Sequence, residues 1–239
     1  MAPSKGVDKI FLTIVLLLLG AGFLIFVSAS FGTLASNQHK FANLLISQIG
    51  FGLGLGGISM FLASRLKYIF WRKYAFWIFL SSIILATLVF VPGIGMEHGG
   101  AKRWIDLGIT TFQPGEALKF GLIVYLATWF TFARKRIQSV YFGFYPLMGM
   151  LGIAGALLLS QPDTGTFLIA VAAGAAIYIA AGAGKRELAL LFLLSIVLLV
   201  GMALWKPYVM DRITTLIHHD DFQGSGYQVR QSLIAIGTG

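Results

Sequence analysis

Residues 10–27 read IFLTIVLLLLGAGFLIFV, a run without a single charged side chain. At about 1.5 Å of rise per helical residue, such a run crosses a hydrocarbon core of roughly 30 Å. It reads as a first transmembrane helix, Ile10–Val27. A cleaved leader is the competing reading, because Lys5 and Lys9 precede the run and the small residues Ser28, Ala29 and Ser30 follow it. Leader apolar regions span roughly 7–15 residues, so the length favours a retained span.

Further apolar stretches follow at Phe41–Ala63, Tyr74–Val91, Gln113–Phe132, Phe144–Ser160, Thr164–Gly182 and Leu188–Trp205, giving seven expected spans. The expected fold class is therefore all-α, a polytopic membrane helix bundle forming one integral membrane domain over residues 1–239. Composition agrees, with 57% hydrophobic and 11% charged residues and a mean hydropathy of +0.83. The absence of cysteine excludes disulfide frameworks, thiolate metal sites and cysteine nucleophiles. A net charge of +9 would suit a nucleic-acid partner only on a soluble basic face, and topology explains it better. With the N-terminus in the cytoplasm, eleven of the Lys and Arg residues fall inside, six fall outside, and Lys119 lies within a helix. That distribution satisfies the positive-inside rule. The Pro92–Phe112 loop and the segment after Trp205 then face the exterior.

Small residues mark expected close packing. Gly50, Gly52, Gly54 and Gly56 form overlapping G-x-x-x-G patterns, and Gly149, Gly152 and Gly155 recur at helical spacing. Gly182-Ala183-Gly184-Lys185 resembles a phosphate loop superficially but is followed by Arg186, where Ser or Thr is needed. His218, His219, Asp220 and Asp221 read as a solvated outer loop, because adjacent histidines rarely converge on one ion.

Chemistry is expected at two helix starts on the same outer side: Gln113-Pro114-Gly115-Glu116 and Gln161-Pro162-Asp163-Thr164. Proline suits a first helical position, and an acid in the first turn complements the helix dipole, so capping explains much of both motifs. Glu116 and Lys119 stand three apart, on one helical face, and can pair. Charges inside spans are costly and usually pair or line a wet cavity. Lys102 and Arg103 lie just upstream, beside Trp104. Together with the two helix N-termini they form a candidate site for an anionic head group such as a lipid-linked diphosphate. Glu116 and Asp163 would repel that anion unless neutralised by Lys119, Arg103 or a divalent cation, which is the candidate cofactor. Candidate binding residues are thus Lys102, Arg103, Gln113, Glu116, Lys119 and Asp163.

Three ordered blocks carry a resemblance. Gly100-Ala101-Lys102-Arg103-Trp104-Ile105 with Leu107-Gly108 and Phe112-Gln113-Pro114-Gly115-Glu116-Ala117-Leu118-Lys119 is the first. Gln161-Pro162-Asp163-Thr164-Gly165-Thr166 is the second, and Gly224-Ser225-Gly226-Tyr227-Gln228 with Gln231-Ser232 and Ala235-Ile236-Gly237-Thr238-Gly239 is the third. The sequence resembles the FtsW/RodA/SpoVE (SEDS) family of peptidoglycan glycosyltransferases along nearly its whole length. It departs at Gly115, where Ser or Ala is commoner, and at Thr238, where Ser is.

The resemblance implies about ten spans, of which seven are present here, with residues 206–239 beginning a large extracellular loop. It implies polymerisation of lipid II, an undecaprenyl diphosphate-linked disaccharide peptide, at the outer face of the bacterial cytoplasmic membrane. Implied partners are a class B penicillin-binding protein and other division or elongation proteins; no nucleic acid is expected. The Gly-Ser-Gly-Tyr-Gln form leans towards the division branch. The family's proposed catalytic aspartate would lie beyond Gly239, so this chain alone is expected not to polymerise glycan. In the full-length protein that base would take the acceptor hydroxyl's proton, with Arg103 and Lys119 steadying the departing diphosphate and Glu116 orienting Lys119. Alternatives are a lipid II flippase or transporter, or a non-catalytic division scaffold.

Overall fold

The computed structural model describes residues 8–36, 38–98, 101–107 and 111–205, with Met210, Gln231, Ser232, Ile234 and Gly237. The Gly224–Gln228 block and the His218–Asp221 cluster lie outside the described residues. The fold is a multi-helix, membrane-type one, and it divides into two compact units, Met1–Phe70 and Trp71–Gly239.

In the first unit, Asp8 opens helix α1 (Lys9–Ser36), its Oδ1 accepting from the Ile10 and Phe11 amides at 3.0 and 3.1 Å. Those are two of the four donors a helix start leaves without intrahelical partners. Helix α2 (Gln38–Ile46) continues through a π-helical stretch (Ser47–Leu55) into α3 (Gly56–Arg65), so the second expected span is one rod. The wide turn falls where Gly50, Gly52 and Gly54 relax backbone restraint. Among the described residues nothing lies within 4 Å of a Cβ built on Gly50 or Gly56, and Gly52 meets its own rod's Gln48, so the expected packing is not seen there.

The second unit holds α4 from Trp71 onward (α4 spans Tyr68–Leu88), α5 (Pro114–Phe132), α6 (Phe144–Ser160), α7 (Thr164–Ala180) and α8 (Lys185–Trp205). Its core follows from helical period. Leu118, Leu122, Leu126 and Phe130 recur every four residues along one face of α5. They meet Leu147, Leu151, Ala154 and Leu158 of α6, and Phe167, Ala170 and Tyr178 of α7. Side chains three and four apart share a helix face, which places each series in register with its neighbour. Gly121 lets α5 touch α4: a Cβ there would stand 2.5 Å from Ser82 Oγ and 3.1 Å from the Ile78 carbonyl oxygen. Gly155 packs on the Phe167 ring, whereas no described residue lies within 4 Å of a Cβ built on Gly149 or Gly152.

Gly182 closes α7. Its φ is +92°, its N–H reaches the Ile179 carbonyl at 3.0 Å, and the Ala183 N–H reaches that of Tyr178 at 3.1 Å. This is a Schellman termination, which explains the glycine without any phosphate.

Among the described residues three helical stretches, Lys9–Phe31, Leu44–Arg65 and Tyr68–Leu88, are long and apolar enough to cross a membrane, and Phe144–Ser160 and Thr164–Ala180 are shorter apolar helices. The fold is all-α as expected, and the loop between α4 and α5 adds a short stretch of strand to it. It contains a small antiparallel sheet of β1 (Gly95–His98), β2 (Ala101–Asp106) and β3 (Thr111–Phe112), in that order, with a bulge at Met96/Glu97.

Candidate functional site

Strand alternation decides where the two adjacent cations go. Successive residues of a strand point to opposite faces. Ala101 and Ile105 are buried, and Arg103, which shares their side of β2, reaches the turn between α6 and α7. Lys102 is exposed and stands across from Glu97 in the β1–β2 register. Adjacency in sequence suggests one basic pair, but the pleat sends the two residues apart.

Arg103 Nε donates to the Gln161 carbonyl at 3.1 Å, and its Nη2 donates to the Pro162 carbonyl. Gln161 is the C-cap of α6, where carbonyls lack intrahelical donors and the helix dipole is negative. A guanidinium there satisfies both needs.

Asp163 is the N-cap of α7 and only 5% exposed. Its Oδ1 accepts from the Thr166 amide at 3.2 Å, and its Oδ2 accepts from Gln113 Nε2 at 3.0 Å. Gln113 is the N-cap of α5 but makes no side-chain cap to its own helix, because its amide crosses to Asp163. Gly115 sits under this contact, with a Cβ position 3.5 Å from Asp163 Oδ2 and 3.2 Å from Leu158 Cδ2.

Gln161 was not singled out as a site residue, although it opens the second motif. It is 1% exposed, and its Nε2 donates to the Ala86 carbonyl at 2.8 Å. Ala86 lies in the last turn of α4, whose Thr87 and Leu88 carbonyls are taken by Phe90 and Val91. Gln161 therefore closes the α4 terminus from 75 residues away, while its own Oε1 has no hydrogen-bond partner among the described residues. The parallel with Gln113-Pro114 was the available signal.

Glu116 and Lys119 form a separate element. Lys119 Nζ lies 2.9 Å from Glu116 Oε1 and 2.8 Å from Oε2. Lys119 is 20% exposed and Glu116 55% exposed, so the cation is the more sheltered partner. Arg103, Gln113 and Asp163 are thus joined through the Gln161–Asp163 corner, Glu116–Lys119 lies along α5, and Lys102 faces elsewhere. Among the described residues no three His, Asp or Glu side chains come together as a metal site.

An apolar groove of about 270 Å³ runs beside the corner, between α6, α7 and α8. Along α6 it extends from Met148 through Gly152 and Gly155 to Leu159, two residues before Gln161, and Phe167 and Leu198 close its sides. The missing Cβ of Gly152 gives it depth, while Gly155 lets the Phe167 ring pack against α6. An apolar channel that ends near a polar corner suits an amphiphile with one long chain.

Comparison with known proteins gives a consistent picture. The model of the FtsW/RodA/SpoVE family, described as a cell cycle protein, matches residues 8–239. Stage V sporulation protein E of Bacillus subtilis is 33% identical over 236 residues, covering 97% of this chain and 63% of that protein. A probable peptidoglycan glycosyltransferase FtsW of Geobacter sp. is 34% identical over 240 residues, covering 100% of this chain and 65% of its own length. A chain of a solved peptidoglycan synthase complex, described as coordinating polymerization and crosslinking, superposes with a TM-score of 0.64 at 30% identity, over 90% of this chain and 64% of that one. The rod shape determining protein RodA of Thermus thermophilus gives 0.58 at 28% identity, over 76% and 58%. The chain spans less than two thirds of the length of these relatives.

Proposed function

This chain belongs to the FtsW/RodA/SpoVE family, and from that premise we propose that the full-length protein is a peptidoglycan glycosyltransferase that polymerises lipid II into glycan strands. The observation that carries the reading is a match along the whole chain to a relative named as a probable peptidoglycan glycosyltransferase. The groove and corner supply a physical basis. The polyprenyl chain lies in the apolar groove beside Gly152 and Gly155, and the diphosphate lies near the polar helix starts.

In this reading Lys119 is the cation offered to the diphosphate, and Glu116 holds it until the anion arrives. The exchange is cheap because Glu116 is already more than half exposed and keeps water as an alternative partner. A general base takes the proton of the acceptor sugar hydroxyl, the new glycosidic bond forms, and undecaprenyl diphosphate departs with the bonding electrons. Lys119 lowers the cost of the charge that grows on that leaving group.

The protein lies in the bacterial cytoplasmic membrane with the N-terminus inside and seven spans in this chain. The excess of Lys and Arg in the alternate loops supports that orientation. A class B penicillin-binding protein is the proposed partner, supported by likeness to a chain of a synthase complex that couples polymerization to crosslinking.

The test is polymerisation by the purified full-length protein and its transpeptidase in detergent, where no leaflets exist. Glycan polymer is expected. Head-group movement in vesicles without polymer in detergent would overturn the reading in favour of a flippase.

A further inference from the structure

We propose that Arg103 is a positioning residue: its guanidinium fork fastens the α6–α7 corner and so sets the Asp163 carboxylate against Gln113 and Thr166, rather than gripping the diphosphate. The inference rests on the corner being the head-group end of the site proposed above.

Geometry carries it. Only Gln161, Pro162 and Asp163 separate the last residue of α6 from the first of α7. Gln161 and Pro162 present successive carbonyls, and neither belongs to a continuing helix. Arg103 meets both at once, Nε on the first and Nη2 on the second. These two N–H groups lie on one edge of a planar fork, so a single rigid group fixes the relative direction of two peptide planes. The next residue is Asp163, whose two oxygens are both spent on holding α7 and α5. Gln161 ties the same three-residue corner to α4. The corner therefore joins four elements, and Arg103 is its link to the sheet.

A ligand role competes with this one. A diphosphate drawing the fork away would take the charged donor from two successive carbonyls at a helix C-terminus. Lysine separates the roles. Its ammonium keeps the positive charge, which is what an anion needs, but it cannot hold two carbonyls in one plane.

The experiment uses the full-length protein with Arg103→Lys, Asp163→Asn and the double variant. Amide hydrogen exchange is read at Thr166 and Phe167, whose N–H groups bond to the Asp163 side chain and backbone carbonyl. Arg103→Lys is expected to speed exchange at these two amides by about tenfold or more, with the Ala170–Tyr178 amides unchanged, since local opening is confined to the corner. In steady-state polymerisation it lowers kcat by roughly tenfold, as small misplacements do, while KM for lipid II stays within about twofold. The double variant is expected to be little worse than the more impaired single one, because both act through one unit.

Native exchange at Thr166 in Arg103→Lys, or additive losses in the double variant, would overturn the proposal. So would a rise in KM with kcat preserved, the signature of a lost substrate contact. A wild-type protein that makes no polymer would remove the functional reading but leave the exchange arm standing, so the two failures are told apart.

Discussion

Gly121 offers a direct test of how this helix bundle holds together. Helices in lipid gain little from burying apolar surface, because lipid tails are as apolar as leucine, so close van der Waals approach decides stability. At the α4–α5 crossing, a Cβ on Gly121 would stand 2.5 Å from Ser82 Oγ and 3.1 Å from both the Ile78 carbonyl oxygen and Phe79 Cα. Two of these three are backbone atoms, so α4 itself must move. Overpacking of this kind costs about 1–3 kcal/mol, and the better helix propensity of alanine returns roughly 0.5–1 kcal/mol. Gly121→Ala is therefore expected to destabilise by about 0–2.5 kcal/mol, lowering the apparent Tm by up to a few degrees. Gly152→Ala is the matched control, since no described residue lies within 4 Å of its Cβ position, and it keeps the propensity gain alone. Adding Ser82→Ala to Gly121→Ala removes the nearest oxygen and is expected to restore only part of the loss. The assay is the fraction of monodisperse protein left after a temperature series in mild detergent, followed by tryptophan fluorescence on size exclusion. A Gly121→Ala protein that melts at or above Gly152→Ala would refute the crossing geometry.

Three other outcomes are expected. Lys119→Ala in the full-length protein lowers lipid II polymerisation by roughly tenfold or more, as removal of one charge-stabilising group does, whereas unchanged turnover in a folded variant returns Glu116 and Lys119 to helix capping. Gln161→Leu costs only about 1 kcal/mol, because the lost bond to Ala86 is offset by removing an unpartnered Oε1, and Gln161→Glu costs clearly more; equal melting of the two variants would mean that the corner is wet. Gly182→Ala forces a side chain into φ +92° and lowers stability by about 1 kcal/mol, with equal melting to wild type arguing against the turn.

The apolar helices were legible because long apolar runs are a property of the chain that needs no partner, and among the described residues three of them, Lys9–Phe31, Leu44–Arg65 and Tyr68–Leu88, are long and apolar enough to cross a membrane. The Glu116–Lys119 pair was legible for a similar reason, since its geometry is local to one helix. The sheet was not. In Ala101–Asp106 the inward series is Ala, Arg and Ile, so the cation that reaches the corner also breaks the apolar alternation that would have announced a strand. The π-helical turn at Ser47–Leu55 leaves no mark in composition either, because the same glycines suit a packed helix. Contacts between distant segments were hidden altogether. Arg103 meets Gln161 across 58 residues and Gln161 meets Ala86 across 75, and no period in the sequence encodes such pairs.

The two Gln-Pro motifs look equivalent, yet they are used in different frames. Gln113 is itself the N-cap, with Pro114 at the first helical position and Glu116 two residues further in. In the second motif the N-cap has moved to Asp163, so Gln161 belongs to the preceding helix as its C-cap. That offset of two residues has a consequence for charge. Asp163 is turned inward and held by two donors, whereas Glu116 is turned outward and holds only a lysine of its own helix. A buried, doubly bonded carboxylate resists exchange, since either donor left behind would be an unpaired buried group. A carboxylate 55% exposed does not, because water replaces its partner. Of the two acids, Glu116 is therefore the one that can release a cation to an arriving anion, which makes Lys119 the residue on which the site reading stands and the Asp163 corner the frame that must stay fixed while it does so.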